Sequence, residues 1–321
     1  MAYATARSMN DGAIPVVDIT PLRNRADAQV VADALHAASQ NLGFIYIKGH
    51  GISEPTLERA RQCSLAFFRS PLNVKNSVKI SSAHRGWLAM GGAKMQDNTP
   101  SDLKESLIWG YEGELEESMD SHPLRGDNRW PEQMSALPLY SMAWFHAANE
   151  VAHHLLRGFA LGLGLAEDFF IRQADRPLSR ASSVYYPAQA EELGAAQFGV
   201  GPHTDFGVLT VLCQDDTGGL QVQDVNGDWL QAPPIPNTLI VNVGDLLSRW
   251  TGGAYKSTPH RVVNSSGRER LSLVLAFDPN PETMIDVREV SGDVPANSPP
   301  PISCGDYLLW RFEKAFSYRQ K

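Results

Sequence analysis

The sequence predicts a mainly β chain with flanking helices, its strands arranged as a sandwich or a double-sheet jelly roll. Three observations carry that expectation. After Pro177 the chain breaks into short β-type runs separated by Gly, Pro and Asn turns. Asn226-Gly227, between Val225 and Trp229, is the strongest hairpin signal present. Ahead of Pro177, apolar residues recur mostly at helical spacing instead.

Taken in order, the N-terminal third reads as helix-rich. Asp27 can cap a helix that places Val30, Val31, Ala34, Leu35 and Ala38 on one face, and Gly43 can end it. Phe44 to Ile47 reads as a buried strand, closed by Gly49-His50-Gly51. Ser53, followed by Glu54 and Pro55, opens a second helix with Leu57, Ala60, Ser64, Leu65 and Phe68 on its apolar stripe, and Pro71 lies just beyond. From Leu137 to Leu165 a long helical pattern carries Leu139, Met142, Phe145, Ala152, Leu156, Phe159 and Leu163. The β-type runs are Ser182 to Tyr186, Val208 to Leu212, Leu220 to Gln223, Thr238 to Val243, Arg261 to Val263 and Leu271 to Phe277. Pro299-Pro300-Pro301 marks a late linker, and Tyr307 to Phe316 reads as a C-terminal helix. There is no internal repeat.

Composition bounds the function. With 321 residues, 43% of them hydrophobic and 20% charged, the chain has ample material for a core, in one extended domain or two closely packed ones. The formal charge of −8, with no Lys/Arg run, disfavours nucleic acid and anionic membrane surfaces as partners. Cys63, Cys213 and Cys304 are odd in number and far apart, which argues for a reducing compartment and against a disulfide scaffold or a thiolate zinc site. The N-terminus has no apolar core of signal-peptide length, and no apolar run reaches ~20 residues. A soluble, cytoplasmic protein is expected.

The chemistry-bearing segment is Gly201-Pro-His-Thr-Asp-Phe-Gly207. His203 and Asp205 stand at i and i+2, which in extended backbone project from one face and can share one ion. A third ligand must come from another strand, and His260 in Ser257-Thr-Pro-His-Arg-Val262 is the candidate. Two imidazoles and a carboxylate on one face of an octahedron leave the opposite positions open, as in non-haem Fe(II) oxygenases. Zinc hydrolases can use the same donor types, so ligand identity alone does not select the metal. Arg270-Leu-Ser272 follows His260 by ten positions and puts two polar side chains on one face of an apolar strand. A buried Arg calls for a buried anion, so a carboxylate pocket beside the metal is implied.

With these residues in place, the sequence resembles the isopenicillin N synthase-like family of Fe(II)/2-oxoglutarate-dependent dioxygenases. The resemblance rests on IPVVDI (14–19), GFIYIKGHG (43–51), DLKES (102–106), HTDFG (203–207), GGLQV (218–222), NVGD (242–245), and His260-Arg-Val262 through Arg270-Leu-Ser272, in the family's order over roughly residues 13 to 315. It implies a distorted double-stranded β-helix, the jelly roll of cupin-like proteins. It also implies Fe(II) on His203, Asp205 and His260, with 2-oxoglutarate chelating the metal. The co-substrate's far carboxylate would lie on Arg270 and Ser272, and Tyr186 would touch the co-substrate. With O2, the co-substrate would become succinate and CO2 while a small-molecule substrate is hydroxylated, desaturated or cyclised. One departure is Val184-Tyr-Tyr-Pro187, where many plant relatives carry Asn-Tyr-Tyr-Pro. The expected organisation is one structural unit over 1–321, with a helix-rich N-terminal region (13–126), a jelly-roll oxygenase core (178–281) and a C-terminal extension (282–321).

Other candidates are weighed beside that site. Glu150 and His153 form a Glu-x-x-His unit, but a di-iron bundle needs a second unit, so solvent-facing histidines on a helix are expected. Trp87, Trp109, Phe206 and Phe316 could line a substrate pocket, though core is the default for aromatics. Arg85 and Lys94 are expected to be solvated, and Asp245 to cap the next helical turn. Ala188 to Gln197 looks like a lid insertion. Two alternatives stand beside the main reading: a same-family iron oxidase that does not consume 2-oxoglutarate, and a cupin-like metal-dependent binder of small carboxylates.

Overall fold

A computed structural model describes residues 4–8, 13–93, 101–111, 122–189, 197–292, 294 and 296–319. Along the chain run β1 (Val16–Asp18), α1 (Thr20–Asn24), α2 (Ala28–Asn41), β2 (Phe44–Lys48), α3 (Glu54–Phe68), α4 (Leu72–Ser77), β3 (Gly86–Leu88), β4 (Glu105–Gly110) and α5 (Ala136–Gly162). There follow β5 (Arg180–Tyr186), β6 (Val200–His203), β7 (Leu209–Gln214), β8 (Leu220–Gln223), β9 (Trp229–Gln231), β10 (Leu239–Val243) and α6 (Asp245–Trp250). The chain ends with β11 (His260–Val262), β12 (Arg270–Phe277), β13 (Met284–Ile285), β14 (Ile302–Ser303) and α7 (Cys304–Ala315).

Two sheets form the double-stranded β-helix. The large one has the order β1-β2-β10-β7-β12-β5-β4-β3, and the small one β6-β11-β8-β9. The period-2 alternation of strand side chains assigns each face of the large sheet a different neighbour. Odd positions of β12, Leu271, Leu273 and Leu275, join the core shared with α2, α3 and α5, whose members include Leu35, Phe67, Phe145 and Phe159. Even positions of neighbouring strands, such as Tyr186, Val184 and Ile240, pack instead with Val200, Leu220, Val222 and Val262 of the small sheet. The second cluster is the interior of the roll, where the polar even positions Arg270 and Ser272 also lie.

The hairpin expected at Asn226-Gly227 joins β8 to β9, with Gly227 at φ 84° and the carboxylate of Asp224 accepting from the amides of Asn226 and Asp228. Ser53 caps α3 as expected, its hydroxyl accepting from the Thr56 amide at 3.3 Å. Gly43 ends α2 with φ 70°, and a Cβ there would fall 1.9 Å from the Lys256 carbonyl oxygen.

Several expectations are corrected. The N-terminal third is not simply helical, since β1 to β4 supply four of the eight strands of the large sheet. Val30 and Leu139 are each 63% exposed, because α2 buries Ala32 in place of Val30, and α5 turns Leu137 and Ser141 inward instead. Asp27 precedes α2 without a side-chain capping bond. Helix α7 begins at Cys304, three residues before the expected start, because Ser303 accepts from the Asp306 amide there. Among the described residues, no helix is long and apolar enough to cross a membrane.

Candidate metal centre and carboxylate pocket

Strand pairing brings the expected ligands together. β11 runs antiparallel to β6 with His260 opposite His203, and Asp205 lies two residues past the end of β6. The imidazole centroids are 4.3 Å apart, and each Nε2 stands 3.7 Å from Asp205 Oδ1. One ligand atom from each residue lies within 4.8 Å of the others, so one metal ion can be held; no other such group occurs among the described residues.

The surroundings select the protonation states a metal needs. His203 Nδ1 lies 2.9 Å from the Gly201 carbonyl oxygen, and His260 Nδ1 lies 3.2 Å from that of Thr258. A carbonyl only accepts, so both Nδ1 atoms carry a proton and the Nε2 atoms are the ones turned toward the ion. Burial, then the neighbouring His260, hold His203 below its usual value, which keeps it neutral. Burial raises Asp205, but His260, His203 and hydrogen bonds from Thr210 and Asn242 outweigh it and keep the carboxyl ionised. Those bonds, 2.6 Å from Thr210 Oγ1 and 2.8 Å from Asn242 Nδ2, both reach Oδ2 and leave Oδ1 for the ion.

The triad opens into a cavity between the sheets, lined by Arg270, Ser272, Val274 and Ala276 of β12 and by Arg180, Ser182, Val184 and Tyr186 of β5. Arg270 is 1% exposed; its Nε donates to the Gly218 carbonyl at 2.6 Å, while Nη1 and Nη2 have no hydrogen-bond partner among the described residues. Ser272 Oγ is also buried and unpartnered. The tight turn that offers the Gly218 carbonyl needs glycine at 218 and 219 (φ 78° and 89°), since a Cβ on Gly219 would meet the Val263 carbonyl oxygen at 2.5 Å. Tyr186 lies opposite Arg270 in the β5/β12 register, its ring 4.8 Å beneath the guanidinium carbon. Burial pushes its phenol up to about 12, with Arg270 opposing, so Tyr186 is neutral and can donate. A buried guanidinium with two unused nitrogens beside an unused hydroxyl fits the end of a carboxylate.

The remaining candidates separate. Phe206 and Phe316 line the cavity, whereas Trp87 and Trp109 are buried elsewhere, Trp87 Nε1 donating to Glu105. Arg85 is not solvated but 4% exposed. His153 is half-buried with its ring edge-on to Phe277 and not solvent-facing, while Glu150 is exposed. Asp245 makes no capping bond; Gly244 is the cap, and the Asp245 carboxylate instead accepts from Ser257, Tyr307 and Arg311. Lys94 and most of the expected lid, residues 190–196, lie outside the described residues. Four contributors are not among the expected site residues: Thr210, Asn242, Asp102 and Arg180. Asn242 sits in the NVGD motif. Asp102 opens DLKES, and its carboxylate accepts from the Gly201 amide at 3.0 Å, tying down the segment that carries His203. Thr210 and Arg180 carry no motif.

Comparison with known proteins agrees with this geometry. Residues 179–279 match the 2OG-Fe(II) oxygenase superfamily, and residues 14–133 match the N-terminal region described as non-haem dioxygenase in morphine synthesis. The chain is 34% identical over 303 residues to a probable iron/ascorbate oxidoreductase of Dictyostelium discoideum, covering 83% of this chain and 81% of that protein. It is 31% identical to a homoarginine-6-hydroxylase of Glycine max, over 85% and 87% of the two chains. The crystal structure of a full-length Neurospora crassa protein in complex with alpha-KG and thymine superposes with a TM-score of 0.83 at 29% identity, over 97% of this chain and 99% of that one. The chain belongs to the 2OG-Fe(II) oxygenase superfamily, within its isopenicillin N synthase-like family. It is a non-haem Fe(II)/2-oxoglutarate-dependent dioxygenase of small molecules, an oxidoreductase that also uses O2.

Proposed function

We propose that His203, Asp205 and His260 are the Fe(II) ligands and that Arg270 and Ser272, with Tyr186, hold the far carboxylate of 2-oxoglutarate. The observation that carries this assignment is the pair of unpartnered Arg270 nitrogens beside the unpartnered Ser272 hydroxyl, in the cavity that also opens onto the triad. An unpaired buried charge costs several kcal/mol, which a bound dianion would offset. When bound, the metal supplies the redox chemistry that couples conversion of 2-oxoglutarate and O2 into succinate and CO2 to oxidation of the substrate. The chain's own residues do the rest. Arg270 and Ser272 orient the co-substrate, Asn242 and Thr210 fix the carboxylate of Asp205, and Phe206, Phe312 and Phe316 keep water from the cavity.

Anaerobic titration of the Fe(II) protein with 2-oxoglutarate tests the reading. A metal-to-ligand absorption band should grow to one equivalent, and turnover should release succinate. Absence of both would leave the same-family oxidase. Uptake of metal and 2-oxoglutarate with no succinate under air would leave the carboxylate binder. Replacing Thr210 by Val together with Asn242 by Leu is expected to weaken metal binding about 10- to 100-fold, because Asp205 then loses both orienting donors. Metal-competition titration measures that change.

The remaining organisation is proposed on the same footing. The segments 13–126, 178–281 and 282–321 act as one unit, and the protein works in the cytoplasm on a small molecule, without nucleic acid or membrane partners. The −8 charge and the three thiols, none of them in a disulfide, support that placement.

A further inference from the structure

The cavity has a guanidinium at each end. β12 and β5 line it with their even positions, Arg270 opposite Tyr186 at one end and Ala276 opposite Arg180 at the other. Six residues of strand separate the two levels, ~20 Å. Arg180 is fixed where it stands: its Nη1 donates to Asp278 Oδ2 at 2.5 Å, and its guanidinium carbon lies 4.7 Å from the Phe312 ring centroid. Asp278 is fully buried, and its other oxygen accepts from the Val208 amide. The remaining nitrogens of Arg180 donate to nothing among the described residues, yet they are not sealed off, because the side chain is 13% exposed and lines the cavity.

The charge around Arg180 exceeds what Asp278 can balance. Arg85 is 4% exposed, its Nε has no partner, and its Nη1 meets only the carbonyls of Ala83 and His84. Among the described residues no carboxylate pairs with it. Lys104, the other cation on the cavity wall, already has Asp102 at 3.5 Å. Burial and then the Arg180, Arg85 and Arg319 guanidiniums hold His84 well below its usual value, as a positive field at this end of the cavity requires.

We propose that the substrate carries a carboxylate that docks on Arg180. This rests on the oxygenase reading of the same site, and it adds the substrate's chemical class. The two guanidiniums divide the work: Arg270 takes the co-substrate's carboxylate and Arg180 the substrate's. Phe206, Phe312 and Phe316 enclose an apolar body between Arg180 and the triad, so the carbon to be oxidised is set by its distance from the carboxylate.

The test is anaerobic isothermal titration of the full-length protein saturated with Fe(II) and 2-oxoglutarate, which keeps Arg270 occupied. The probes are phenylacetate and 3-phenylpropionate against their neutral amides. The acids are expected to bind at least about tenfold more tightly than the amides. In Arg180→Gln/Asp278→Asn, which removes the cation and its acid together so that neither partner of the pair is left buried alone, that preference should vanish. Ser182→Asp, which keeps the Arg180–Asp278 pair and adds a carboxylate on the same face of β5, should abolish it as well. Equal binding of acid and amide by the unaltered protein, binding of neither, or a preference that survives both changes overturns the proposal. The two readings fail separately: a missing 2-oxoglutarate band counts against the oxygenase assignment, whereas a protein with the band but no acid preference counts against the carboxylate alone.

Discussion

Asp205→Ala is expected to lower bound iron from about one ion per chain to under about a tenth, and turnover about a thousandfold, roughly 4 kcal/mol. The size follows from what the side chain does alone. Among the described residues Asp205 is the one carboxylate within 4 Å of both imidazoles, so its removal leaves two imidazoles facing each other with no anionic ligand. It also strands Thr210 and Asn242, whose donors both point at Oδ2. Asp205→Asn is the sharper variant, since it keeps the volume and removes only the charge. Iron content by colorimetric assay after anaerobic reconstitution measures both. Stoichiometric iron retained in either variant would refute the ligand assignment.

Much of this site is legible in the sequence because its determinants are local. An i, i+2 pair needs only extended backbone to share a face, and Arg270-Leu-Ser272 needs only the alternation of a strand. The second condition holds along β12; Asp205 lies just past the end of β6 yet still reaches His203, and His260 lies opposite His203 because β11 pairs with β6. The less legible contributors take their meaning from partners that only the fold supplies. Thr210 reads as an ordinary strand residue until its hydroxyl meets Asp205, and Arg180 as an ordinary surface cation until Asp278, 98 positions later, folds beneath it. The same distinction runs through the fold. β1 and β3 have three residues each, too few to show a period, and β4 mixes Glu105 and Ser106 with Trp109 because it is recruited by pairing with β5. Val30 and Leu139 face solvent against expectation because an apolar residue beside a helix's buried stripe carries no mark of which side it falls on. The burial of Arg85 is equally unmarked, because it depends on a cation's surroundings, here the close approach to Gly110.

Arg270→Ala should raise the dissociation constant of 2-oxoglutarate about a hundred- to a thousandfold, roughly 3 to 4 kcal/mol, since it removes both free nitrogens proposed to take the carboxylate. Ser272→Ala should cost only about three- to tenfold, the value of one neutral donor. Arg270→Lys should fall between, because an ammonium supplies the charge but not the two-pronged geometry. The stability of the ligand-free protein separates this from a structural role. An Arg that served the fold would destabilise it when removed, whereas here the change deletes a buried charge with two unused nitrogens and loses one bond, to the Gly218 carbonyl. Thermal unfolding without 2-oxoglutarate is therefore expected to fall by no more than about 3 °C, roughly 2 kcal/mol for a chain of this length. With 2-oxoglutarate at a hundred times its dissociation constant, the unaltered protein should gain about 2.7 kcal/mol and the variant almost nothing. A variant that unfolds far earlier without ligand, or that still gains stability from it, would show that Arg270 holds the roll together and not the co-substrate.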